Sequence, residues 1–296
     1  MDLIVVGGGL GNQMSQFAFY YCKKLMQQDA KLFLNPQIVN DHNGYELNSI
    51  FRFNYAYPEP LERIFHAVIY YILASRRQGL HMQILRLLPS LMDWHLFLEP
   101  TDYSYSQALF MSAPLNRLLI GGWHSYQYYK SFKAQLVQLY EFPSDRIPSS
   151  IKRWLSSLPQ NQQIVGIHVR KGDYLSPANL EKFGSVCGDA YYRTALRHLR
   201  HIVPNPLLVL FTNDLKWCNT YLSDFEFILP PALPPSLSWV DMHLMQQCDS
   251  LILSNSTFSW WAAFLSSKAK LVLRPNEFIS GVKSDSFFPP EWLPIS

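Results

Sequence analysis

His168, Arg170, Lys171 and Asp173 fall within six positions, in the stretch GIHVRKGDY at the end of an apolar run. In an extended chain His168 and Arg170 point to the same side, because strand side chains alternate with a period of two. An imidazole beside a guanidinium makes an anion site, and a guanidinium grips phosphate through two parallel hydrogen bonds. A solvated strand end with an Arg170–Asp173 ion pair is the competing reading. A second strand end, LVLFTNDLKWC, closes on Asn213 and Asp214. Asn213 reads as the cap of the following helix, while the Asp214 carboxylate can cap or accept paired N–H groups from a guanine edge. A third, LILSNSTFSWWAAFL, runs an apolar stretch into Asn255, Ser256, Thr257, Phe258 and Ser259. Hydroxyls and unpaired N–H groups at a helix start form a ready anion site. A helix needs one cap residue, and this stretch offers several. Trp260, Trp261 and Phe264 read as core, as do Asp241 and His243 in the methionine-rich SWVDMHLMQQC.

The N-terminal VVGGGLGNQMSQFAF places a glycine cluster behind an apolar run, where a dinucleotide-binding turn often sits. The fingerprint starting at Gly7 requires glycine where Asn12 stands, and the second strand ends in Asn35 rather than an acidic ribose ligand. A nicotinamide-dependent oxidoreductase therefore fits badly. The glycines read as a tight turn that positions Asn12 and Gln13.

These residues need elements to hold them. LIVVG, NQMSQFAFYYCKKLMQQ and KLFLN read as strand, helix and strand. RLLIGGW at 117–123 reads as a returning strand and SFKAQLVQLYEF as a helix, with a looser aromatic and proline-rich stretch over 36–115. In the second half, 164–170, 207–213, 225–230, 250–255 and 270–275 read as buried strands. Helices are expected between them at about 189–201, 215–222, 239–248 and 256–267. Continuous apolar strands separated by helices imply parallel sheets covered on both faces, with ligands at the carboxyl ends of the strands. The polar, proline-bounded 143–163 stretch marks a junction near 150–160.

The chain has 296 residues, 48% of them hydrophobic and 16% charged, which fits one large or two ordinary domains and excludes disorder. A net charge of +3 is too small to imply nucleic acid and leaves cations for an anionic ligand. Cys22, Cys187, Cys218 and Cys248 lack metal spacing and read as reduced, mostly buried thiols of a cytoplasmic protein. MDLIVV reaches glycine too soon for a leader. The most apolar window, 64–92, is broken by His66, Arg76, Arg77, Gly79 and Arg86. It reads as a pair of core-facing helices, with a membrane-surface helix as the competitor.

Taken together, GGGLGNQM, GGWHSYQYY, IHVRKGDY, FTNDLKWC and DMHLMQQCDSLILSNSTFSWWAAFL resemble the successive motifs of the inverting α-1,2-fucosyltransferases, especially their bacterial, soluble branch. The match is collinear from residue 3 to about 275. The resemblance implies an α/β fold of GT-B type: two Rossmann-like domains facing each other across a cleft. Residues 1–155 would form the N-terminal acceptor-side α/β domain and 156–296 the C-terminal GDP-fucose-binding domain. It implies GDP-fucose as donor substrate, a galactose-terminated glycan as acceptor, and no cofactor or metal ion. Fucose would pass to the galactose 2-hydroxyl with inversion, in the cytoplasm or peripherally at the inner membrane surface; a fucosyltransferase of different linkage and a non-catalytic nucleotide-sugar-binding protein are the alternatives.

Carried onto this chain, the resemblance makes Arg170 the clamp on the donor β-phosphate with His168 beside it. Asp214 would recognise guanine, and Asn255, Ser256, Thr257 and Phe258 would hold the diphosphate. Asn12 and Gln13 would face the reaction centre from the other domain, with Trp123 and His124 on the acceptor side. Asp173 is the candidate base. Where the family usually has two arginines this chain has Arg170-Lys171, which turns a second bidentate grip into a point charge. Ser15 stands where phenylalanine is common and His124 where glutamine is common; both touch the acceptor-side half.

Overall fold

The computed structural model describes residues 1–35, 43–53, 60–74, 94–283 and 285–296. The chain divides into two units, Met1–Leu139 and Tyr140–Ser296. The composition shift at 143–163 suggests a later junction, at 155/156, than this division. Residues from 140 onward go with the second unit because aromatic packing holds them there. Phe142 stacks on Trp239 at 5.6 Å and Tyr140 meets Trp261 edge-on at 5.2 Å.

The first unit is built on a parallel four-stranded sheet of β1 (Asp2–Val6), β2 (Ala30–Leu34), β3 (Trp94–Leu98) and β4 (Asn116–Ile120). Their order is β2-β1-β4-β3. Leu3 and Val5 of β1 pack with Leu118, Phe33 and Trp94 against Ile69 and Leu73 of the helix Pro60–Ala74. Strand alternation sends Ile4 and Val6 to the opposite face. The helix Leu10–Leu25 contacts β1 and β2. Both anticipated strands and this helix are present; β3, buried in the irregular 36–115 stretch, gave no clear pattern. The core-facing reading of 64–92 holds for Ile69 and Leu73, and its second, arginine-bearing helix lies outside the described residues. At the amino ends of the strands, Arg117 makes a bidentate bridge to Asp2 at 2.6 Å on each oxygen, and Lys23 reaches Asp2 at 3.0 Å.

The second unit carries β5 (Ile164–Val169), β6 (Leu207–Thr212), β7 (Ser250–Ile252), β8 (Leu271–Pro275) and β11 (Leu293–Ile295), all parallel, in the order β11-β8-β7-β5-β6. The hairpin β9 (Glu277–Ile279) and β10 (Val282–Lys283) stands apart. Val165, Ile167, Val169, Leu208 and Leu210 pack against Tyr192, Leu196 and Leu199 of the helix Asp189–Ile202. The expected strand at 225–230 is reduced to one bridge, Ile228 with Val209, because Pro230 and Pro231 cannot extend the ladder. The four cysteines are unpaired and buried. Among the described residues no helix is long and apolar enough to cross a membrane.

Candidate active site

Counting only the five parallel strands of the second sheet, their spatial order is 2-1-3-4-5, which reverses direction between β5 and β7. In such sheets the crevice outside the carboxyl ends at this switch is where ligands bind. Three sequence-singled segments meet there. β5 pairs with β6 from Ile164–Leu207 to Val169–Thr212, so Asn213 lies beside Arg170. β5 pairs with β7 through Ile167 and Ile252, which sets Ser254 and Asn255 next to His168 and Arg170.

Arg170 holds Asp173 in a fork, Nε to Oδ1 at 2.9 Å and Nη2 to Oδ2 at 3.0 Å, and its guanidinium lies 5.6 Å over the Tyr174 ring. The Tyr174 hydroxyl donates to the Asn255 carbonyl at 3.1 Å, tying the two strand ends together. The ion pair weighed against an anion site is therefore present, and it orients rather than consumes the guanidinium, whose Nη1 edge stays open. Asp173 also accepts from the Asn213 amide at 3.2 Å. Three donors thus reach its two oxygens, and Asp173 positions the guanidinium.

His168 is buried, with Nδ1 2.8 Å from Ser254 Oγ and its ring 5.6 Å from Phe258. Burial, helped by the Arg170 charge, pulls its pKa down to about 3, so the imidazole is neutral. Lys171 departs from its expected place as a second cation on phosphate. It is buried, donates to the Gly184 carbonyl at 2.8 Å and sits 4.8 Å over Trp217, with its pKa lowered by desolvation.

Asp214, not Asn213, caps the next helix: its Oδ1 accepts from Trp217 N at 2.9 Å. Asn213 Oδ1 accepts from Lys171 N at 2.8 Å instead. Ser256 caps the helix Thr257–Leu265 by accepting from Phe258 N at 3.3 Å, and Thr257 and Phe258 are half-buried at its first turn. Asn255 is fully buried, its amide donating to the carbonyls of Phe183 and Phe278 at 3.0 and 3.1 Å. Its amide nitrogen fixes the loop, while its buried Oδ1 makes no hydrogen bond. Among the described residues no three His, Cys, Asp or Glu side chains group as metal ligands.

In the first sheet the direction reverses between β1 and β4, and the loops after both strands are rich in glycine. Gly8 takes φ +76°, and a Cβ there would lie 2.8 Å from the Asn12 amide. Gln16 bridges the two loops, accepting from Gly7 N at 2.8 Å and donating to the Gly121 carbonyl at 3.0 Å. Gln13 is fully buried; it donates to the Gly8 and Gly44 carbonyls at 2.8 Å each and accepts from Glu46 N at 2.9 Å. Trp123 is also fully buried, stacked on Phe19 at 4.3 Å. Both of these residues expected on the acceptor side are thus buried in the first unit. His124 is buried with Nδ1 3.3 Å from Ser15 Oγ, so the two departures from the family pattern are neighbours. Burial pulls the His124 pKa to about 3. Asn12 is half-buried at the start of its helix.

Sequence reasoning passed over Glu99. It follows β3 directly and accepts from Gly122 N at 2.7 Å and His124 N at 2.8 Å. The available signal was a lone acid after the apolar WHLFL, inside the least regular part of the chain.

Comparison with known proteins agrees with this arrangement. The model of glycosyl transferase family 11 matches residues 3–296, so the chain belongs to that family and is a glycosyltransferase. It is 26% identical to an α-1,2-colitosyltransferase of Escherichia coli over 100% of this chain and 99% of that one. A galactoside α-(1,2)-fucosyltransferase 1 of Leontopithecus chrysomelas is 33% identical over 45% of this chain and 38% of its own. The fucosyltransferase NodZ from Bradyrhizobium shares the fold, with a TM-score of 0.54 at 13% identity, over 93% of this chain and 94% of that one. The fold is of the GT-B type the motifs implied.

Proposed function

We propose that the chain transfers L-fucose from GDP-fucose to the 2-hydroxyl of a terminal galactose on a glycan, with inversion and without a metal ion. The observation that carries this is Arg170, held by Asp173 and Tyr174 at the switch point of the second sheet beside the Ser256-capped helix start. Breaking the fucose–phosphate bond leaves its electron pair on the β-phosphate. A preoriented guanidinium and the first-turn N–H groups of a helix stabilise that charge, the task a divalent cation performs elsewhere. The Asp214 oxygen not used in capping is available to the guanine edge. Asn12 supplies a neutral amide that orients the leaving or attacking oxygen without adding charge. A cytoplasmic enzyme, or one peripheral to the inner membrane surface, fits four unpaired cysteines.

Incubation with GDP-fucose and β-galactosides in the presence of EDTA tests the reading. It expects GDP release and an α-1,2-fucosylated product; a strict Mg²⁺ or Mn²⁺ requirement would overturn metal independence. The full-length colitosyltransferase relative favours one competitor for the donor. Faster transfer from GDP-colitose than from GDP-fucose would replace fucose in this proposal.

A further inference from the structure

Glu99 occupies the carboxyl edge of the first sheet, one strand from the β1/β4 reversal. The loop after β4 is shaped around it. Gly122 and His124 donate backbone N–H groups to separate oxygens at 2.7 and 2.8 Å, and Trp123 N–H is directed at the same carboxyl group. A Cβ on Gly121 would stand 2.4 Å from the Glu99 Cβ, and one on Gly122 would meet the His124 ring at 2.1 Å. Trp123 adopts φ +57° and Tyr103, further along the chain from Glu99, φ +55°. Left-handed backbone at two bulky residues is strain that persists at sites where the surroundings fix a working geometry.

We propose that Glu99 is the acceptor-side base, receiving the proton of the galactose hydroxyl as that oxygen attacks the anomeric carbon. This rests on the fucosyl-transfer reading above. The two carboxylate oxygens offer about four acceptor sites, so three backbone N–H groups leave one for the sugar hydroxyl. Glu99 is half-buried and so within reach of a ligand.

In the step, the acceptor O–H bond breaks and its proton passes to a Glu99 oxygen. The acceptor oxygen forms the new bond to fucose C1, and the C1–O bond to phosphate breaks with its electron pair leaving on GDP. Glu99 then releases the proton to water.

The titratable groups facing Glu99 are His124 on the loop after β4, Tyr103 on the segment after β3, and Tyr128. Tyr103 is pushed up to about 12 by burial and by the Glu99 charge, Tyr128 is raised by burial, and His124 is neutral. No cation among the described residues counters the burial of Glu99. Burial outweighs the backbone bonds and lifts Glu99 to about 7, poised for proton transfer near neutral pH.

The test is Glu99→Gln, assayed for transfer to a β-galactoside, for GDP-fucose hydrolysis without acceptor, and for GDP binding. Transfer is expected to fall by about a hundredfold or more, with hydrolysis and GDP binding within about threefold of wild type. The wild-type kcat/KM should show an acid limb with a midpoint near 7 that the residual activity of the variant lacks. Glu99→Asp keeps a carboxylate and should restore a shifted acid limb, which keeps the test decisive if the glutamine variant does not fold. Transfer by Glu99→Gln within about tenfold of wild type overturns the proposal. So does an acid limb that stays in place in either variant, the result expected of a merely structural residue. Absence of fucosyl transfer by the wild type instead refutes the underlying functional reading.

Discussion

Arg170 and Lys171 are adjacent cations with opposite fates, and their hydrogen bonds say why. Arg170 keeps an open guanidinium edge because Asp173 takes the Nε and Nη2 side. Lys171 turns inward, onto the Gly184 carbonyl and the Trp217 face. Arg170→Ala should therefore lower kcat by about 10²–10³, the usual cost of removing one preorganised donor to a developing anion. The melting temperature should hardly change, since the side chain is part-exposed. Steady-state kinetics with GDP-fucose check this, and activity within about tenfold of wild type would contradict the clamp. Lys171→Met should leave the donor KM within about threefold, because the ammonium makes no contact that a diphosphate could share. A large rise in donor KM would return Lys171 to the phosphate.

At the scale of elements, the two ends of the first sheet do different work. The carboxyl ends carry strained loops, Gly8 at positive φ, Trp123 in a left-handed conformation and Glu99 in its cradle. The amino ends carry a buried charge cluster in which Asp2 is shared by Arg117 and Lys23, with the surplus N–H groups donated to the carbonyls of Ala108, Leu109 and Met111. Removing the anion leaves two buried cations facing each other. Asp2→Asn should cost about 3–5 kcal/mol, the range for breaking a buried ion pair. Chemical denaturation measures it, and enzyme that remains folded at low temperature should keep its kcat. A loss below about 1 kcal/mol would mean that Lys23, whose pKa burial already lowers to about 8, sheds its proton in the variant.

Across the whole molecule, strands and helices with strong periodicity were legible: β1, β5, β6 and the helices after β1 and β5 fall where the apolar spacing puts them. So was the cluster at the switch of the second sheet, because its residues lie at the ends of those clear strands. What escaped was set by tertiary contacts. Nothing local tells that Gln13 will clasp Gly8, Gly44 and Glu46, that Lys171 will turn inward, or that Glu99 will meet a loop more than twenty residues later. The same burial that hid these roles predicts how the fold answers acid. In the unfolded chain His124 and His168 take up a proton near pH 6.5, whereas in the folded protein each resists protonation down to about 3. Between these values the unfolded state binds more protons, so stability rises with pH and is lost as pH falls from about 6.5 toward 3. At pH 5 the loss should be about 2 kcal/mol for each histidine, a substantial part of a stability of roughly 5–15 kcal/mol. Glu99 works in the opposite sense: its pKa is raised in the fold, so its own contribution weakens as pH climbs from about 4.5 toward 7. Asp241, lifted to about 6 by burial, works with Glu99, while His66 and His243, lowered by burial, work with the other two histidines. Four histidines against two carboxylates leave a net loss on the acid side. Denaturant midpoints measured between pH 5 and 7.5 should therefore fall toward acid, with a shallower slope in His168→Asn, whose amide cannot take up the proton. An unchanged slope in that variant would mean that His168 is reached by water and protonates in the folded protein.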